Sequence, residues 1–510
     1  DGGNQHHNGR VEVWDWSGSE MVKRAEDLTG STFNFFGSDV AITPDGNTLV
    51  VGEPGSTPED GKVFVFDWDG SGWIQRSTPI IPNQANMEQF GFNVDVSDDG
   101  FTIAASRNSI TRAFVFDWND VSWDIRDEAF GDGSVSASTV TMSLSGDGNK
   151  LFIANPHVYN TYENTSYTLA YGWPTETVST VVSTSGISSL DFSGLSLVEG
   201  DRITLTVTGG SEVQVIVGSD GLDAALTSAA ASLASQTELF SAATSSNGVV
   251  TVTGLTDGSA LTNISVALES PVINLTYSPH SSSGPELSPS VVASSITTES
   301  IVRLDLGSWE QMGSTIDSTG YWAMSGSSIS TANNGLTIAI GAPLEKVNSI
   351  EVGQVRVFDW DGLGWVQRGT DIYGSRDAEN PSYQGNNFGS EVALSSDGQI
   401  LVIMSPAAKN GLGETQVFEW NNDVWVQKGS DLPTTIDHVV TDVVVSGNGE
   451  MIATRRGSLG HNWIEIFGVS DGEWYKRDTI YSGPDKPYYG TSLDLSYDGS
   501  VLILGNPRDG

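Results

Sequence analysis

The stretch VFVFDWDGSGWIQR, residues 63–76, sets two acidic residues, two Trp and two Gly between β-rich arms. Acids beside indoles suit a metal or a sugar as well as a structural joint, and recurrence separates these readings. VRVFDWDGLGWVQR occupies residues 355–368, AFVFDWNDVSWDIR 113–126, and VFEWNNDVWVQK 417–428. Weaker copies lie at 11–24, 301–312 and 463–477. A catalytic centre usually occurs once, so a phrase stated this often reads as architecture.

A second pattern alternates with the first. Asp-Gly or Asn-Gly turns begin at Asp45, Asp99, Asp147, Asn334, Asp397, Asn448 and Asp498. Apolar and polar residues alternate on both sides of each, as in SDVAITPDGNTLVVGEP (38–54) and SEVALSSDGQILVIMSP (390–406). Period-two alternation around such a pair is a strong hairpin signal. An inner hairpin followed by an outer one gives four strands in roughly 50 residues, and seven such units predict a mainly β, seven-bladed propeller. The chain opens on an outer hairpin, GRVEVWDWSGSEMVKR (9–24), and ends on an inner one, TSLDLSYDGSVLILGNPRDG (491–510). Joined, they rebuild one blade, which closes the ring and hides its open edges. Within the repeated phrase, Gly70 and Gly362 supply the tight turn. Trp68 and Trp73, Trp118 and Trp123, and Trp360 and Trp365 flank it, placed to cover the rim between blades.

The inner units FFGSDVAITPDGNTLVVGEP (35–54), YYGTSLDLSYDGSVLILGNP (488–507) and NFGSEVALSSDGQILVIMSP (387–406), with GLTIAIGAP (335–343), carry alternating Phe-Gly and Gly-Ala-Pro signatures. They resemble the FG-GAP repeats of integrin-α-like propellers over nearly all of residues 1–155 and 315–510. The resemblance implies a seven-bladed, extracellular, interaction-type propeller. Its calcium-binding members hold the ion in a loop of alternating Asp and Asn, which here shrinks to TPDGN, SDDGF, SGDGN, SSDGQ or SYDGS. A two-residue turn offers too few oxygens for the cation. No cofactor is therefore expected, and a calcium-stabilised adhesin stands as an alternative.

Composition narrows the partners. The formal net charge is -41, from 64 acidic and 23 basic residues. Such a field repels nucleic acid and anionic lipid and favours cationic partners. The absence of Cys excludes disulfides, thiolate zinc sites and thiol nucleophiles. No apolar run approaches the ~18–20 residues of a membrane span, so direct insertion is not expected. The first residues, DGGNQHHNGR, contain neither an initiating Met nor a signal peptide, and suggest a processed piece of a longer chain.

The spacing of turns jumps between Asp147 and Asn334. The extra material is Ser/Thr-rich, and it divides the chain into propeller 1–155, an inserted module 156–300 and propeller 301–510. GDRITLTVTGG, SEVQVIVGS, GVVTVTGL and TNISVALES read as strands, and Leu222, Leu226, Ala229 and Leu233 fall on one helical face. A small α+β module with one helix over a sheet is predicted. It resembles modules of bacterial surface and phage fibre proteins, and as an insertion it is a natural place for partner contacts. Asn164, Asn263 and Asn274 start N-x-S/T sequons, which matter only in a source that glycosylates.

No catalytic motif stands in a fitting context, and the six His show no metal spacing. Departures from the repeat are the better candidates for binding. Arg455 and Arg456 put two cations where sister units have Gly-x-Pro, where they could pair with a partner carboxylate or a neighbouring subunit, or neutralise local acid. Tyr159, Tyr162 and Tyr167 cluster beside the insertion, where they could stack sugars, form an interface or serve ordinary packing. The expectation is a non-enzymatic structural or recognition propeller, extracellular or on a cell or virion surface. Its partners would be other protein subunits or glycans. The alternative from another class is a carbohydrate-active enzyme using the mouth of the ring.

Overall fold

The computed structural model describes residues 8–31, 34–55, 61–82, 89–107, 112–130, 140–156, 166–173, separate strands and one helix between 177 and 269, and 309–320, 322–375, 385–411, 413–433, 439–458, 461–482 and 489–508. Seven antiparallel sheets repeat one order, inner edge to outer edge. Blade 1 comprises Val40–Ile42, Thr48–Glu53, Lys62–Trp68 and Trp73–Gln75, and blade 2 Phe90–Val96, Thr102–Arg107, Arg112–Trp118 and Trp123–Phe130. Blade 3 comprises Thr141–Leu144, Lys150–Asn155, Tyr167–Gly172 and Glu310–Gln311. Blade 4 comprises Ser328–Thr331, Thr337–Ala342, Gln354–Trp360 and Trp365–Gln367. Blades 5 and 6 begin at Glu391–Leu394 and Val439–Val445 and end at Val424–Gln427 and Glu473–Tyr481. Blade 7 joins Ser492–Leu495 and Val501–Asn506 to Arg10–Trp16 and Met21–Lys23 from the other end of the chain.

That last pairing closes the ring. Arg10–Trp16 runs antiparallel to Val501–Asn506 in continuous register from Arg10↔Asn506 to Asp15↔Val501. The second strand of each blade is the most deeply buried, as Leu49, Val50 and Val51 or Leu502, Ile503 and Leu504 show, because sheets cover it on both faces. Apolar clusters cross from blade to blade: Val11, Val13 and Ile503 of blade 7 pack with Val40, Leu49 and Val51 of blade 1.

Two compact units emerge, residues 1–116, 127–172 and 309–510, and residues 117–126 with 173–308. The second contains two sheets. One orders Thr177–Thr180, Ile264–Glu269, Arg202–Val207 and Val213–Ile216; the other orders Ile187–Asp191, Val249–Gly254 and Phe240–Ser246. The four strands read from sequence are present, and three more join them. A helix spans residues 226–231 with Leu226 and Ala229 buried. Leu222 and Leu233 lie outside the described residues.

The expected boundaries at 155/156 and 300/301 shift. Tyr167–Gly172 is the third strand of blade 3, and Glu310–Gln311 is its fourth. Register puts Gly172 opposite Glu310, so Trp173 and Trp309 occupy the places that Trp68 and Trp73 hold in blade 1. The insertion therefore replaces the turn inside the repeated phrase. YTLAYGW was hard to recognise because Gly172 stands where the copies have Asp.

Candidate functional site

The repeated phrase is a joint within and between blades. Its acid and its cation sit nine residues apart, on strand three and at the end of strand four. Arg24 Nε donates to Asp15 Oδ1 at 2.7 Å, Arg76 Nη2 to Asp67 Oδ1 at 2.6 Å, and Arg126 Nη2 to Asp117 Oδ1 at 2.6 Å. Lys428 and Glu419 repeat the pairing at 2.9 Å. In four of the phrases two indoles pack together with ring centres 5.3–5.4 Å apart. Several of these Arg then reach the next blade: Arg24 lies 5.1 Å from the Trp68 ring and Arg368 4.7 Å from Trp420. The indoles reach the other way, with Trp365 Nε1 donating to the Met312 carbonyl and Trp425 Nε1 to that of Arg368. Carboxylate, guanidinium and indole thus pack into one joint at each of these seams.

The inner turns consume their acids too. Asp45 Oδ1 accepts from the Asn47 amide at 3.0 Å and the Thr43 hydroxyl at 2.6 Å, and Asp99, Asp147, Asp397 and Asp498 repeat this with a Ser. Neighbouring turns bond head to tail: Asp98 N to Gly146 O, Gly146 N to Asn333 O, Asn333 N to Ser396 O, Ser396 N to Gly447 O, Asn448 N to Tyr497 O, and Tyr497 N to Pro44 O. Pro44 has no N–H with which to donate onward. This chain of turns narrows one end of the central channel.

The channel itself, about 880 Å³, is walled by the first strand of each blade. Such a strand is a sheet edge whose outward amides need acceptors. In blades 1, 2, 4 and 7, side chains five or seven residues before the turn glycine supply them to the next blade. Asp494 Oδ2 accepts from Ile42 N at 2.9 Å, Asp39 Oδ2 from Val94 N at 2.8 Å and Asp95 Oδ2 from Leu144 N at 2.7 Å. Ser492, Ser328 and Ser330 perform the same task for Val40, Val392 and Leu394 at 2.9–3.0 Å. Serine and aspartate interchange, so accepting a neighbour's amide is what these positions require. Glu391 and Asp442 line the same channel.

The channel carboxyls are half-buried, and their partial desolvation pushes them above the usual carboxylate range. Asp39 moves to about 6, and Asp95 and Asp494 to about 7, against opposing amide hydrogen bonds. Glu391 and Asp442 are raised too, first by burial; Asp442's charge adds to the shift of Glu391, whereas Arg455 works against that of Asp442. Sequence reasoning missed these five acids. Their signal was present: SDVAI, NVDVS, SEVAL, TDVVV and SLDLS carry acids inside strands that should face apolar neighbours.

The predicted binding residues fare differently. Arg456 is fully buried, with Nε 2.5 Å from Glu465 Oε2, and Lys476 approaches the same carboxylate at 3.3 Å. It neutralises acid within blade 6, the second of the two expected roles, and its burial takes it out of the partner-contact reading. Arg455 donates from Nε to the Tyr489 carbonyl and from Nη1 to Thr441 Oγ1, both at 2.8 Å, linking blade 6 to the turn leading into blade 7. Tyr167 is buried as the first residue of its strand, opposite Asn155, which removes it from a surface aromatic cluster. Tyr159, Tyr162, Asn164, Asn263 and Asn274 lie outside the described residues. Among the described residues, no group of three or more His, Cys, Asp or Glu could hold a metal ion.

No protein-family model and no curated protein matches the sequence. Solved structures do. The β-propeller domain of Cps50 (Swd1) from Myceliophteria thermophila is 9% identical, covering 92% of this chain and 96% of its own, with a TM-score of 0.41. A 6-phosphogluconolactonase-like protein from Bacteroides uniformis is 11% identical over 92% and 95%, with a TM-score of 0.43. The β-propeller domain of the trilobed protease from Pyrococcus furiosus is 9% identical over 90% and 87%, with a TM-score of 0.38. The likeness is one of fold. The seven-bladed assignment rests on the strand order itself.

Proposed function

We propose that the chain is a non-enzymatic propeller that serves as a structural or recognition module on a cell or virion surface, engaging protein subunits or glycans of a larger assembly. One observation carries this reading. The conspicuous acids, cations and indoles of the repeats are spent on holding blades together, and serine replaces the channel carboxyls at equivalent positions without loss of their task. An enzyme mouth would need acids that no repeat position explains. The FG-GAP resemblance supports an extracellular, interaction-type role, and the net charge of -41 favours partners with basic surfaces.

Imaging of the native assembly, with cross-linking of the purified chain in its source extract, tests the reading. The expected result is a stable complex burying more than ~1,000 Å². Saturable turnover of a glycoside panel that is lost in Asp95→Asn would instead establish the enzyme. A Tm that collapses on chelation would point to the calcium-stabilised adhesin.

A further inference from the structure

Blade 6 keeps one half of an ion pair. In five sister blades the cation of the repeated phrase meets a carboxylate nine residues earlier at 2.6–3.5 Å, as Arg76 meets Asp67 and Arg368 meets Asp359. Blade 3 has lost both members, with Gly172 and Met312 in their places. In blade 6 the acid alone is gone, since Gly468 stands nine residues before Arg477. Among the described residues Arg477 has no hydrogen-bond or ion-pair partner, and its Nε is shielded from solvent without an acceptor. We propose that Arg477 is a docking point for an Asp or Glu side chain of a protein partner, whose carboxylate completes the pair that blade 6 leaves open. This rests on the reading of the chain as an interaction module.

The surroundings prepare the guanidinium for such a guest. It lies against Gly468, where an added Cβ would run into Nε. Its carbon is 5.5 Å from the centre of the Trp16 ring in blade 7 and 5.6 Å from that of Tyr475. The first contact repeats the seam stack of Arg24 and Arg368. The second belongs to blade 6: Tyr475 stands opposite Gly468, where blades 1, 4, 5 and 7 set Ile74, Val366, Val426 and Val22 opposite their acids. Aromatic contacts hold a guanidinium's plane and leave its N–H edge for a planar carboxylate. Tyr475 is 44% exposed, so the site opens to solvent.

The adjacent acid is engaged elsewhere, because Asp478 accepts from the Met21 and Thr479 amides at 2.7 Å each. Tyr and Arg beside Trp is also the composition of an interface hot spot. Charge narrows the guest further. A field of -41 repels free polyanions, so a single acid carried on an otherwise neutral or basic protein surface fits the site.

The test uses the full chain with acetyl-Gly-Asp-Gly amide as probe, read from the Arg477 Nε–H signal in NMR spectra, which Arg477→Lys assigns. A saturable shift is expected, with affinity roughly tenfold or more above that of acetyl-Gly-Asn-Gly amide. Gly468→Asp supplies the acid from within, and should raise the unfolding midpoint above that of Gly468→Asn and abolish the probe's shift. No shift, an equal shift with the Asn peptide, or a shift that survives in Gly468→Asp overturns the site. Inorganic phosphate binding as tightly as the Asp peptide overturns the carboxylate assignment. Should Gly468→Asp fail to fold, the two peptides on the wild type decide: selectivity for Asp supports the site and its absence overturns it. A complex in the source extract without probe binding sinks the site and leaves the module reading standing, and probe binding without a complex does the reverse.

Discussion

The guanidinium of Arg368 lies 4.7 Å from the centre of the Trp420 ring, and the two residues belong to adjacent blades. The same Arg approaches Asp359 of its own blade at 3.5 Å, so one side chain ties a hairpin and a seam. Lysine would keep the charge but lose the planar stack. Arg368→Lys should cost about 1–2 kcal/mol, read from the midpoint of denaturant unfolding. An unchanged midpoint would mean that the stack contributes nothing.

Close approach between blades makes a sharper prediction. A Cβ on Gly341 would run into the Gly389 carbonyl oxygen of the next blade, whereas one on Gly364 would meet open space. Gly341→Ala should destabilise by about 1–3 kcal/mol or more. Gly364→Ala should be neutral or slightly stabilising in the same melting experiment. Equal effects would contradict this account of the seam.

Closure depends on the Arg10–Trp16 strand. Its removal exposes the edge of Val501–Asn506 and uncovers Ile503 and Leu504. A chain starting at residue 17 should lose its single sharp unfolding transition and self-associate, as light scattering and limited proteolysis would show. A monomeric, protease-resistant product would place the seam elsewhere.

The buried pair in blade 6 tests differently. Arg456→Ala leaves Glu465 charged and enclosed, with Lys476 as its remaining cation, and should cost roughly 3–5 kcal/mol. Arg456→Met with Glu465→Leu should recover most of that loss. A double variant as unstable as the single one would show that the cost lies in packing and not in the stranded charge.

Acid should act on the inner turns. Burial works against Asp147, but hydrogen bonds from Lys150, Ser145 and the Asn149 amide outweigh it and hold its carboxyl below the usual range. Asp45 and Asp498 shift the same way. The stability they contribute is present above their unfolded value of about 4 and is lost as pH falls below it. Asp147→Asn should therefore shrink the Tm loss between pH 5 and pH 2.5. A loss of the same size in that variant would assign acid sensitivity to other carboxyls.

The sequence by itself determined the number of blades, the strand order of all but the third, whose outer hairpin it placed at 301–312, and the splitting of one blade between the two ends of the chain. Those facts live in local signals: period-two alternation, Asp-Gly turns and the return of the Trp phrase, each legible within about 50 residues. It determined neither the insertion point nor the channel. Trp173 and Trp309 are recognisable as one split pair only once strand register sets Gly172 opposite Glu310. Asp39, Asp95 and Asp494 look like ordinary strand residues until the ring brings the next blade's amides to them. For Arg456 only the structure decides between a partner's carboxylate and local acid, because Glu465 meets it from the adjoining strand. In each case the deciding partner is distant along the chain or on a neighbouring strand, and burial, which sets the energy of a charge, exists only after the blades have closed.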